Sequence, residues 1–169
     1  MDFNVFLDEG KRNKYYILKL LELRKSSFIS QGQLIEILGM SKYKIDKFLQ
    51  EICDDANLLN LEINIFIDPY GGIKTEGIDN LVTKKIRLYY LENSIQYKIL
   101  MEIFAENYQM VDLIAKNLYV SRTSIYKELK ILKNNLKVFD LKIRNLKICG
   151  KELKVRSFFF LYLMSSTVD

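Results

Sequence analysis

The residues best suited to chemistry lie between Tyr119 and Asn135, in YVSRTSIYKELKILKNN. At about 100° per residue around a helix, Ile125, Leu129 and Leu132 share one face, which reads as the core side. Thr123, Lys127, Lys130 and Asn134 fall opposite, with Arg122 and Tyr126 on a flank. This outer face offers hydroxyl, ammonium and amide groups and no carboxylate. Such groups donate hydrogen bonds to phosphates and to base edges in a major groove. Ser121 is placed to cap the helix, which leaves its first N–H groups and positive dipole end toward an anion. The plainer reading is a basic face that only meets solvent. Coincidence of helix order, serine cap, basic face and a basic hairpin in one segment favours the chemical one.

A second such segment lies 80 residues earlier, in SKYKIDKFLQEICDD. Ile45, Leu49 and Ile52 face the core there, leaving Tyr43, Lys47, Gln50 and Asp54 outside and Asp46 on the flank. Lys42, Tyr43 and Lys47 are its candidate contacts. Residues 42–55 hold three Lys against four acids, a net of −1, whereas 122–135 hold four basic residues against one acid, a net of +3. Attraction to phosphate follows summed charge, so the second segment is expected to dominate. The hairpins agree. In the second, Leu141, Ile143, Leu146 and Ile148 point inward, and Lys142, Arg144 and Lys147 point out toward a backbone or minor groove. In the first, Leu61, Ile63, Ile65 and Ile67 share one side, and the outward residues are Glu62, Asn64 and Phe66, which suit a protein contact at least as well.

The elements that position these residues repeat. At an offset of 80, Leu20 matches Leu100, Phe28 matches Tyr108, Leu34 matches Ile114, Ser41 matches Ser121 and Leu49 matches Leu129, with no gap. Gly39 facing Tyr119 and Phe48 facing Glu128 are mismatches. Each copy predicts three helices and a hairpin: helices near 11–25, after Ser30, and from Ser41 to about Cys53, then near 93–106, 110–118 and 121–135. The turn DPYGG reverses the first hairpin, and Arg144-Asn145 the shorter second one. The fold class is therefore mainly α with small β-hairpins, as two tandem winged helix-turn-helix domains. The expected division is 1–78 for the first, 79–92 for a helical connector, 93–152 for the second, and 153–169 for an exit helix.

Composition bounds the rest. The chain has 169 residues, 49% apolar and 28% charged, in the range of folded globular proteins. Its net charge of +5 lies wholly in residues 91–169, with 13 basic and 8 acidic residues, against 13 and 13 in residues 1–90. There is no histidine, the commonest general base. Cys53 and Cys149 stand alone without zinc spacing and read as reduced, partly buried thiols. No catalytic residues, metal site or cofactor are expected, and no small-molecule substrate. MDFNVFLDEG lacks the basic start of a signal peptide, and Val155–Met164 is too short to span a bilayer, so a cytoplasmic location without membrane contact is expected.

The pieces SIQYKILMEIFAEN, LIAKNLYVSRTSIYKELKILKNNLKVFDLKI and ICGKELKVRSFFFLYL resemble the second helix-turn-helix of the Mga/AtxA-like virulence regulators of Gram-positive bacteria. KYYILKLLELRKSSFISQGQLIEILGMSKYKIDKFLQEI resembles their first, less specifically. The resemblance implies a transcription regulator whose winged helices bind promoter DNA ahead of regulatory domains that sense sugar status and dimerise. Residues 153–169 then read as the opening of such a domain or as a helix packed on the second lobe. Double-stranded DNA is the expected partner, with a homodimer as a further candidate. The rival function is a tandem winged-helix protein-interaction scaffold in a chromosome or replication assembly.

Overall fold

A computed structural model describes residues 3–24, 29–105 and 110–164. The pair Phe28 and Tyr108, and the expected helix ends at Lys25 and Glu106, lie outside the described residues. The chain divides into two compact units, one of residues 9–89 and one of residues 3–8 with 90–164. The fold is mainly helical with small antiparallel sheets, as the periodicity predicts.

In the unit of residues 9–89, helix α1 (Glu9–Leu23) packs with α3 (Lys42–Leu58), and α2 (Gln31–Leu38) packs on α3. Ile17, Leu18 and Leu21 of α1 meet a core that includes Leu34, Ile45, Leu49 and Ile52, all buried. Ser30 starts α2 with a capping box: its hydroxyl accepts from Gln33 N at 3.2 Å, while Gln33 Oε1 accepts from Ser30 N at 2.9 Å. Gly39 ends that helix at φ +63°, a left-handed conformation that costs glycine nothing. Ser41 caps α3, which runs to Leu58, five residues past the expected end, since DDANL contains no breaker.

The hairpin of β2 (Asn64–Ile67) and β3 (Gly72–Glu76) is joined by a two-residue strand, β1 (Ile29–Ser30), giving the order β1-β3-β2. Ile29 pairs with Ile73 and Ile67 with Ile73 on the other side. The alternation on β2 fades toward the tip. Ile63 is buried, Ile65 is half-buried, and Ile67, expected inward, is exposed, because it borders an open hollow with Ile35, Lys42 and Asp46 instead of a closed core.

The other unit repeats the plan with α5 (Ile95–Phe104), α6 (Val111–Asn117), α7 (Arg122–Lys137) and the hairpin β4 (Lys142–Arg144) and β5 (Lys147–Cys149). Helix α4 (Asn80–Glu92) precedes it in sequence, and α8 (Glu152–Met164) follows the hairpin. The hairpin turn falls at Asn145-Leu146, one residue beyond the expected Arg144-Asn145, with both residues left-handed (φ +49° and +56°). Residues 3–8 belong to this unit's core. Phe3 and Phe6 stack with Phe139 at 5.6 and 5.9 Å, and Phe158 closes the cluster edge-on. Asp8 Oδ1 accepts from Ser94 Oγ and Ile95 N at the start of α5, and Ser94 Oγ donates to Phe6 O. At the far end of α7, Asp140 accepts from Lys154 Nζ of α8 at 2.5 Å, which holds its carboxyl below the usual range.

Candidate nucleic-acid interface

Helix α7 owes its orientation to Ile125, Leu129, Leu132 and Leu136, all buried along one stripe. Its start is fixed by Ser121, whose hydroxyl accepts from Ser124 N at 3.1 Å. The preceding turn closes with Val120 N donating to Ala115 O at 3.0 Å. Tyr119 takes φ +54° in this turn, the conformation of its counterpart Gly39, and is 95% exposed. The two turns thus share one geometry, although only one has the residue that favours it.

The rotation leaves Ser121, Arg122, Thr123, Tyr126, Lys127 and Lys130 exposed, with Lys133 and Asn134 further along. The single carboxylate of α7, Glu128, turns away from this face. It is half-buried and accepts from Gln96 Nε2 at 3.3 Å, while Gln96 Oε1 accepts from Asn135 Nδ2 at 2.9 Å. Asn135 also donates to Val5 O at 2.8 Å. This buried polar chain, absent from a periodicity argument, leaves the outer face free of negative charge. Among the described residues none forms an ion pair with Lys127, Lys130 or Lys133. Arg122 differs: its guanidinium pairs with Asp112 in the first turn of α6. It ties α6 to α7 and is partly neutralised.

The hairpin residues divide between sides. Lys142 and Arg144 are exposed on β4, and Arg144 pairs in register with Lys147 beside the turn. Lys147 borders a hollow with Phe104, Phe159 and Phe160, on the side of α5 and α8. Tyr126 and Lys130 instead border a trough facing the hairpin, together with Lys133, Asn145 and Leu146.

The matched helix α3 exposes Lys42, Tyr43, Lys47, Gln50 and Asp54, as its periodicity predicts. Its charges are engaged within the unit. Lys14 of α1, buried, pairs with Glu51 at 3.3 Å and Asp55 at 2.5 Å. Lys47 reaches Glu51 at 3.7 Å, Lys44 reaches Glu9 at 3.8 Å, and Gln50 Nε2 donates to Asp54 Oδ1 at 3.0 Å. Asp46 accepts from the amide of Gln31. The sequence gives no signal of Lys14 as a partner, because no period connects it with Glu51 and Asp55.

Both cysteines are free and half-buried, and burial pushes the Cys53 thiol up. Among the described residues no cluster of His, Cys, Asp and Glu suits a metal ion, and no helix is long and apolar enough to cross a membrane.

No curated protein matches the chain. A family model, the Mga helix-turn-helix domain, matches residues 79–163, which contain α4 to α7, α8 up to its penultimate residue and the whole basic face just described. That match covers half the chain and brings with it DNA binding and transcription regulation, so the chain belongs to the Mga helix-turn-helix domain family.

Proposed function

We propose that the chain regulates transcription, without catalysis, by binding promoter duplex DNA through two winged helix-turn-helix domains joined by residues 79–92, the second dominating. The observation that carries this reading is the solvent face of α7. Thr123, Lys127 and Lys130 stand exposed without a carboxylate among them, beside a hairpin bearing Lys142 and Arg144. In this reading Arg122, Thr123, Lys127 and Lys130 carry the main contact in the major groove. Ser121, Lys142, Arg144 and Lys147 lie along the backbone, and Lys42, Tyr43 and Lys47 of α3 add a weaker contact. A cytoplasmic location and a homodimer belong to the same proposal.

The test is duplex affinity of the Lys127→Ala/Lys130→Ala variant across salt concentrations. Removal of each base-reading group should cost about 1–3 kcal/mol. Parent-like binding at every salt concentration sinks the assignment. One observation favours a protein partner for the first unit: Phe66, Ile67 and Tyr70 at its hairpin tip are exposed, Tyr70 at 96%. A chain that acts only as a scaffold would show no duplex affinity near physiological salt, where a DNA binder loses affinity steeply as salt rises.

A further inference from the structure

The trough between α7 and the β4–β5 hairpin has a volume of about 280 Å3. Tyr126, Lys130 and Lys133 line it from the helix, and Ile143, Asn145 and Leu146 from the hairpin. No carboxylate lines it. A helix in a major groove and a hairpin tip at the adjacent minor groove must straddle the sugar–phosphate strand that separates the two grooves. We propose that the trough holds one deoxyribose–phosphate strand of the duplex, with Lys133 and Asn145 as phosphate contacts additional to the groove-reading face. The proposal rests on the DNA-binding reading above and extends it to a defined strand.

The chemistry of the lining matches this occupant. Lys130 and Lys133 are three residues apart, a rise of about 4.5 Å along the helix. That step beyond the groove-reading Lys130 leaves the flexible Lys133 ammonium to meet a phosphate of the bordering strand. Ile143, Leu146 and the ring of Tyr126 give an apolar floor for the sugar faces. Asn145 and Leu146, both left-handed, form the tight turn that puts the Asn145 amide at the rim. In the first unit the position matching Lys133 is Cys53, a half-buried thiol, so the first copy lacks this cation.

Fluorescence anisotropy of the full chain with a labelled duplex of mixed sequence, scanned against salt, tests the strand contact. Lys133→Ala should lower the salt slope of binding by about one unit, with the same proportional loss on unrelated sequences. Asn145→Gly keeps the left-handed turn and should weaken binding several-fold. Neutralising single phosphates as methylphosphonates should reveal a position that weakens the parent and does nothing further to Lys133→Ala. Lys133 is exposed, and an unchanged circular dichroism melt will verify that the variant folds. If Lys133→Ala keeps the parent's slope and affinity while Lys127→Ala loses affinity, the strand placement is wrong and the DNA-binding reading stands. If the parent binds no duplex, both fall.

Discussion

Helices α3 and α7 match position for position at an offset of 80, yet they dispose of their charges in opposite ways. On α7 the acid Glu128 is drawn under the helix by Gln96, and four lysines remain outside. On α3 two of the four acids, Glu51 and Asp55, turn inward to Lys14, and Glu51 also draws Lys47 across its own helix. A charge count along α3 therefore overstates how acidic its outer face is. It also overstates how many cations stay available. A polyanion meets what is left after pairing within the protein, not the sum over a segment.

The largest expected effect tests the inward pairing. Lys14→Met would leave Glu51 and Asp55 facing an apolar side chain. Removing one partner of a buried pair costs about 3 kcal/mol. Urea unfolding followed by circular dichroism should show that loss in residues 9–89. A midpoint equal to the parent's would mean that the two acids are not held by Lys14.

The next prediction sets equivalent positions against each other. Lys47→Ala and Lys127→Ala remove the same group at matched places, one engaged by Glu51 and one without an ion pair among the described residues. Duplex affinity should fall by about 1–3 kcal/mol for Lys127→Ala, and by no more than about 0.5 kcal/mol for Lys47→Ala, the range of a surface change. Equal losses would place both helices on DNA with equal weight.

The smallest effect concerns the two turns. Tyr119→Gly should raise stability by about 1 kcal/mol, because glycine adopts the left-handed conformation without strain. Gly39→Ala should cost about as much in the other direction, and its new methyl group would meet no atom within 4 Å, leaving backbone strain as the sole cause. Thermal unfolding of the pair reads both. A Tyr119→Gly variant that melts lower would show that the tyrosine side chain offsets its own strain.

Much of this is legible in the chain. Ser30 with Gln33, Ser41 and Ser121 announce three helix starts, because a capping hydroxyl acts on backbone a few residues away. The stripes Ile45–Leu49–Ile52 and Ile125–Leu129–Leu132 fix the rotation of both helices for the same local reason. What the sequence conceals is set by partners far along the chain. Lys14 and Asp55, Asn135 and Val5, and the β1 pairing of Ile29 with Ile73 are 41, 130 and 44 residues apart, and no period links them. Tyr119 hides a turn geometry because an aromatic residue gives no hint of positive φ. Lys133 carries no mark of its own because its role depends on where the hairpin lies.

The packing of Phe3 and Phe6 against Phe139 and Phe158 makes one unit discontinuous in the chain and the other continuous within it. This sets an order on the ribosome. Residues 9–89 can complete their core as soon as they emerge, whereas the first aromatic pair must wait for the last before its own core can close. That closure spans more than a hundred residues, so its loop entropy opposes it until the intervening unit has folded and shortened the effective loop. A piece cut to the family-matched boundaries, 79–163, would therefore carry Phe139 and Phe158 without the rings that cover them, and would be prone to aggregate.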